Sequence, residues 1–266
     1  AASRRIGAFA GRVLVVLCLL AIVVGGAVGL ERSARRSAAP VAGPLPEQVV
    51  EPAPVRPGST APPVEREFRE PGQADGVDPV RAWADQVASN VDVPARALVS
   101  YVNADMAMRH HQPDCRISWA TLAGIGRVES DHGRFGGGAL GENALPSEPI
   151  IGVPLDGAPG VQAISDTDGG ALDGDTTYDR AVGPMQFIPS TWRSWTTDGN
   201  GDGVGDPQNL DDAAMAAARY LCSNGGDLTT GDGWWGSVLS YNNSVEYGQK
   251  VFALAETYSD AARRRS

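Results

Sequence analysis

Residues 118–137 read S-W-A-T-L-A-G-I-G-R-V-E-S-D-H-G-R-F-G-G. Ser118 is a favourable helix cap, and Leu122, Ile125, Gly126 and Glu129 then recur at helical spacing on one face until Gly133 stops the helix. A carboxyl on an apolar face is either paired, here with Arg127, Arg134 or a backbone amide, or desolvated. Desolvation raises its pKa and keeps it protonated near neutrality, which is what a general acid acting on a glycosidic oxygen requires. On position alone the structural pairing is the commoner outcome, so the flanking segments decide between the two.

Working outward, Asp78-Pro79 starts a helix carrying Val80, Trp83, Ala84 and Val87 on one stripe, and Pro94 opens a second, with Leu98, Tyr101, Val102 and Met108, that continues to His110. Residues 134–180 are rich in Gly, Asp and Pro and read as long loops with short strands at 150–151 and 161–164. Ser190 caps a helix with Trp192 and Trp195, Asp211–Leu221 is an Ala-rich helix, and two more follow at 233–242 and 244–258. At helical spacing most of the tryptophans belong to the core rather than to a sugar platform. The pattern predicts an α+β, mainly α domain over 79–258 with a loop-rich insertion, followed by a basic tail at 259–266.

Three blocks carry a resemblance: G-I-G-R-V-E-S-D-H-G-R-F-G-G at 124–137, A-V-G-P-M-Q-F-I-P-S-T-W at 181–192 and S-Y-N-N-S-V-E-Y at 240–247. In that order they resemble the family of membrane-bound lytic murein transglycosylase B, and the composition suits a member of the actinobacterial type. The resemblance implies a lysozyme-like core that cleaves the MurNAc–GlcNAc β-1,4 bond of peptidoglycan without water. Glu129 would protonate the leaving oxygen and then take the proton of the MurNAc C6 hydroxyl as a 1,6-anhydro ring closes. Most glycoside hydrolases need two carboxylates, whereas this chemistry manages with one, and Asp131 points to another side of the helix. Substrate contacts carry over onto Gln186, Tyr241 and Asn242, with Ser130 beside them, although the ring of Tyr241 also suits packing. A hydrolytic muramidase with a second carboxylate from 134–180 and a catalytically silent wall-binding scaffold are the alternatives.

Between the second and third blocks, D-G-N-G-D-G-V-G-D at 198–206 places Asp198, Asn200 and Asp202 at positions one, three and five of a calcium loop, with Gly203 at the turn and the Val204 carbonyl at position seven. Position twelve is Asn209 where an ordinary loop has Glu. In the resembled family a later acid completes the site, and Asp212 lies at that distance, so a structural Ca2+ is expected. The four acids of 166–175 form no comparable motif and read as a solvated loop. The three histidines lack partners at zinc spacing.

The remainder of the chain bears on location and partners. Val13–Leu30 is uncharged and long enough to cross a hydrocarbon core, with basic residues on both sides. Residues 1–36 are therefore read as a basic segment and single-pass anchor holding the catalytic domain outside the cytoplasmic membrane; cleavage as a signal after the small-residue triplet 27–29, with secretion, is the alternative. Residues 37–78 hold about half of the 19 prolines and predict an extended, disordered spacer. Export favours pairing of Cys115 with Cys222, the two cysteines outside the apolar run. The net charge is -10, and residues 79–262 carry 24 acids against ten bases. That field repels phosphate and excludes nucleic acid as a partner, leaving the glycan strands of peptidoglycan to be held by hydrogen bonds and stacking.

Overall fold

The computed structural model describes residues 50–63, 78–224 and 226–264; the expected span at 13–30, the basic segment around it and the rest of the 37–78 spacer lie outside them. Helices dominate, in the order α1 (Pro79–Val91), α2 (Ala95–His111), α3 (Trp119–Ser130), α4 (Pro189–Trp195), α5 (Leu210–Cys222), α6 (Gly231–Tyr241) and α7 (Val245–Arg263). Two short antiparallel strands, β1 (Ile151–Pro154) and β2 (Arg180–Val182), stand between α3 and α4 and pair Ile151 with Val182. None of the described helices is long and apolar enough to cross a membrane.

Local chemistry sets most of these boundaries. The Asp78 carboxylate accepts the Val80 amide at 2.9 Å, Ser118 Oγ that of Thr121 at 3.2 Å, and Ser244 Oγ that of Tyr247 at 3.3 Å. Each satisfies an amide that the first helical turn leaves without a partner. Buried Asp105 adds a second cap from α2 by accepting the Trp119 amide at 3.0 Å. At its other end α3 stops at Ser130, three residues before Gly133: Asp131 and His132 take left-handed φ of 54° and 59°, and their amides return to Arg127 O and Gly126 O. These are the bonds that close a helix on a left-handed cap.

Packing then assembles the core. Ala213, Ala214, Ala216, Ala217 and Ala218 are fully buried in α5, and side chains that small let α5 lie close on α2. Gly124 does the same for α3 against α7, since a Cβ there would lie 2.9 Å from Val251 O. The expected Cys115–Cys222 disulfide is present, with Cα atoms 5.4 Å apart, and joins the loop before α3 to the end of α5.

Four expectations are corrected. Residues 50–63 form an extended strap bound along α6 and α7 rather than a free spacer. Ala53 N donates to Gln249 O, Gln249 Nε2 to Val55 O, Trp235 Nε1 to Thr60 O and Ser259 Oγ to Pro63 O, all at 2.9–3.1 Å. Proline removes amide donors but leaves carbonyls, and an extended chain presents those to donors on the helices. The expected tail at 259–266 is helical as far as Arg263, since Tyr258, Ser259 and Ala262 continue the buried face of α7. Ser190 lies inside the first turn of α4, which begins at Pro189 without a side-chain cap. In the 134–180 insertion, 161–164 contributes an isolated bridge, Asp156 with Ala163, rather than a strand.

Candidate active site

Glu129 occupies the last turn of α3, where the close approach of α3 and α7 brings it against Tyr247, in the first turn of α7. Tyr247 Oη donates to Glu129 Oε1 at 2.6 Å. The Glu129 side chain is half-buried, so part of it stays open to a ligand while protein surrounds its carboxyl. That burial pushes its pKa up to about 7, and the bond from Tyr247, which favours the charged form, restrains the rise. Replacing Tyr247 by Phe removes the restraint, so the Glu129 carboxyl titration, followed by NMR, should move to higher pH than in the wild type. An unmoved titration would show that the bond is absent in solution.

Neighbouring charges do not compete for this place. Asp131 is held by Arg127 and, at 2.8 Å, by Arg134. No second carboxylate is bonded to the Glu129–Tyr247 pair among the described residues. His132 is fully buried behind α3 between Tyr101 Oη (3.1 Å from Nδ1) and Tyr258 Oη (3.4 Å from Nε2), and burial holds its pKa well below the usual imidazole range. A neutral ring there props the left-handed turn that ends the helix of Glu129.

The residues expected to contact substrate have separate fates. Tyr241 Oη donates to Met185 O at 2.7 Å, and its ring meets Phe187 and Tyr220 edge-on; burial, then the charge of Glu129, push its hydroxyl pKa well up. Gln186 follows Met185 with a left-handed φ of 50°, and its Nε2 donates to Gly183 O at 3.0 Å. Asn242 caps the end of α6 through its backbone and keeps an exposed side chain. Ser130 is corrected: its hydroxyl donates its one proton to Pro184 O at 2.6 Å and accepts the Gly133 amide at 2.8 Å, and at 3% exposure it is buried away from a sugar. It ties the end of α3 to the 181–192 block. Tyr247 escaped selection as a site residue, although the third block ends on it.

The Asp/Gly loop curls as its spacing predicts, with left-handed glycines at Gly201 and Gly203. Asp198 accepts the amides of Gly201, Asp202 and Gly203, while Asp202 accepts that of Val204. Asp212, fully buried in the first turn of α5, accepts those of Gly199, Asn200 and Asp206. Hard oxygens on a glycine-bent loop are the donor chemistry of calcium, but here the carboxylates are turned onto amides. The three-acid group with oxygens within 4.8 Å of one another among the described residues lies elsewhere, at Asp166, Asp168 and Asp179 in the insertion.

Residues 164–235 match the family model described as the Transglycosylase SLT domain. The match includes the second block and the Asp/Gly loop but neither Glu129 nor Tyr247. No curated protein matches. Among solved structures the chain is similar to the Escherichia coli lytic transglycosylase Slt35 in complex with bulgecin A, with 14% identity over 72% of this chain and 81% of that one and a TM-score of 0.42. Slt35 in complex with calcium gives 14%, 69%, 79% and 0.42. SltB3 from Pseudomonas aeruginosa, in complex with NAG-anhNAM-pentapeptide, gives 17%, 71%, 69% and 0.37.

Proposed function

We propose that this chain is a lytic transglycosylase that cleaves the MurNAc–GlcNAc β-1,4 bond of peptidoglycan and leaves 1,6-anhydro-MurNAc ends. The observation that carries this reading is Glu129: a half-buried side chain whose desolvated carboxyl has a pKa of about 7, with a tyrosine hydroxyl orienting it. The Transglycosylase SLT match over 164–235 supports it. Protonated Glu129 gives its proton to the glycosidic oxygen as the bond from MurNAc C1 breaks. The C6 hydroxyl of the same sugar then adds to C1 and returns its proton to Glu129, so no water is consumed. A pKa near the working pH suits a group that must be acid in one step and base in the next.

Hydrolysis needs a second carboxylate to activate water. Four acids of the insertion, Asp166, Asp168, Asp173 and Asp175, accept amides of their own loop, and none of them is bonded to the Glu129–Tyr247 pair. A silent scaffold has no use for a carboxyl whose proton affinity is raised this far. Membership of the membrane-bound transglycosylase B family, of the actinobacterial type, rests on the three blocks. Asp198, Asn200, Asp202, the Val204 carbonyl and Asp212 would hold a structural Ca2+, whose charge would pin the loop to α5. Residues 13–30 anchor the enzyme on the outer face of the cytoplasmic membrane, or direct its secretion once cleaved.

Mass spectrometry of fragments released from purified peptidoglycan by the full chain tests the reaction. Products one water lighter than hydrolytic muropeptides are expected. Reducing-end products would overturn it in favour of a hydrolase, and an intact wall in favour of a scaffold.

A further inference from the structure

A cavity of about 500 Å³ opens between the last turn of α2, the end of α4 and the outer face of α5. It is separate from the Glu129–Tyr247 pair: Tyr241 meets Tyr220 at 5.6 Å, Tyr220 meets Trp195 at 5.7 Å, and Trp195 is the ring that lines the cavity. Its size is that of a small-ligand site. Met108 and Met215 supply an apolar wall and Arg219 a cationic one.

The partners of Arg219 set it apart. Its Nη1 donates to Trp195 O and Thr196 O at 3.3 and 3.2 Å, and its guanidinium lies 6.0 Å from the centre of the Trp195 ring. None of these partners carries a negative charge. Every other half-buried arginine among the described residues, namely Arg81, Arg96, Arg116, Arg127, Arg134 and Arg180, is paired with a carboxylate. Asp198 also lines the cavity, but its oxygens accept loop amides and no ion pair joins it to Arg219. In a domain with 24 acids for ten bases, a half-buried guanidinium with only neutral partners is a place prepared for an anion from outside. Gln112, with Nε2 bound to Cys222 O, keeps its Oε1 as an acceptor.

We infer that this cavity binds a peptide ending in a free carboxylate after apolar side chains, with the carboxylate on Arg219, the side chains against Met108 and Met215, and a peptide amide on Gln112. The identification of that peptide with the stem peptides of the wall rests on the function proposed above. An arginine fork recognises a carboxylate through paired, charge-assisted bonds and cannot do the same for a carboxamide.

The test is calorimetric titration of the full chain with N-acetyl-D-alanyl-D-alanine and with its C-terminal carboxamide. The acid is expected to bind at least tenfold more tightly than the amide. Arg219→Gln should remove that preference, and Glu129→Gln should leave it unchanged. Equal affinities for the two probes, no binding of either, or an unchanged preference in folded Arg219→Gln would overturn the inference. The acid-against-amide comparison on the wild type needs no variant, so it decides even if Arg219→Gln does not fold. Binding of the acid by a chain that releases no anhydro products would sink the proposed reaction and leave the cavity's specificity standing; anhydro products without probe binding would do the reverse.

Discussion

Glu129→Gln lowers the release of anhydro fragments by about 10²–10⁴-fold, the usual contribution of a positioned proton donor, while making the fold more stable at neutral pH. The amide keeps the shape of the side chain and an oxygen to accept from Tyr247, so the site stays assembled, but it has no proton to give. The sign of the stability change follows from the raised pKa. Between 4.5, the carboxyl's ordinary value, and about 7, the folded chain binds more protons than the unfolded one, so stability falls as pH rises through that window and stays reduced above it. Glutamine escapes this penalty. The variant should match the wild type at pH 4 and exceed it by up to about 3 kcal/mol at pH 8, since each tenfold rise in proton affinity on folding is worth about 1.36 kcal/mol. Urea denaturation at the two pH values reads the difference. Wild-type activity should in turn fall about tenfold for each further step of one in pH above 7, as the acid form of Glu129 is lost. A variant that is inactive but equally stable at both pH values would mean that the Glu129 carboxyl is not desolvated.

Glu129 was legible in the sequence because helical periodicity alone places it on the face of Leu122 and Ile125. Period also disclosed the Ala-rich α5 and the capped starts of α1 and α3, where short-range chemistry agrees with the tertiary outcome. Ser130 was misjudged for a related reason. It adjoins Glu129 in sequence, but one residue of helix turns a side chain by about 100°, which carries its hydroxyl away from Glu129 and onto Pro184 O. The role of Tyr247 needed the α3–α7 contact, because 118 residues separate it from Glu129. The strap at 50–63 has neither helical nor strand period, and its carbonyls find donors only once α6 and α7 are in place. Strand β2 is three residues whose partner, β1, lies well upstream within the insertion, too short for any pattern to announce it.

Gly183→Ala should be among the most damaging single-methyl changes in the protein, costing more than about 4 kcal/mol. Gly183 has a φ of 77°, which alone disfavours any other residue by about 1 kcal/mol. The larger cost is steric: a Cβ there would lie 1.7 Å from Pro207 O and 2.6 Å from Pro207 C, which are backbone atoms with no rotamer to relieve the overlap. Relief requires moving the chain that leads into α5, or moving Gly183 itself. The second course breaks its amide bond to Ile150 O and the two bonds that Gln186 makes to its carbonyl. The 181–192 block is thereby fastened to the start of α5 through one missing side chain, which gives that glycine a stereochemical task. Gly236→Ala is the matching control: it lies within α6, nothing is within 4 Å of its added Cβ, and alanine there should stabilise by up to about 1 kcal/mol. Chemical denaturation of the pair should therefore move the midpoint in opposite directions. A Gly183→Ala protein within about 1 kcal/mol of the wild type would contradict the close approach of Gly183 to Pro207, and with it the way Met185 is held beneath Tyr241.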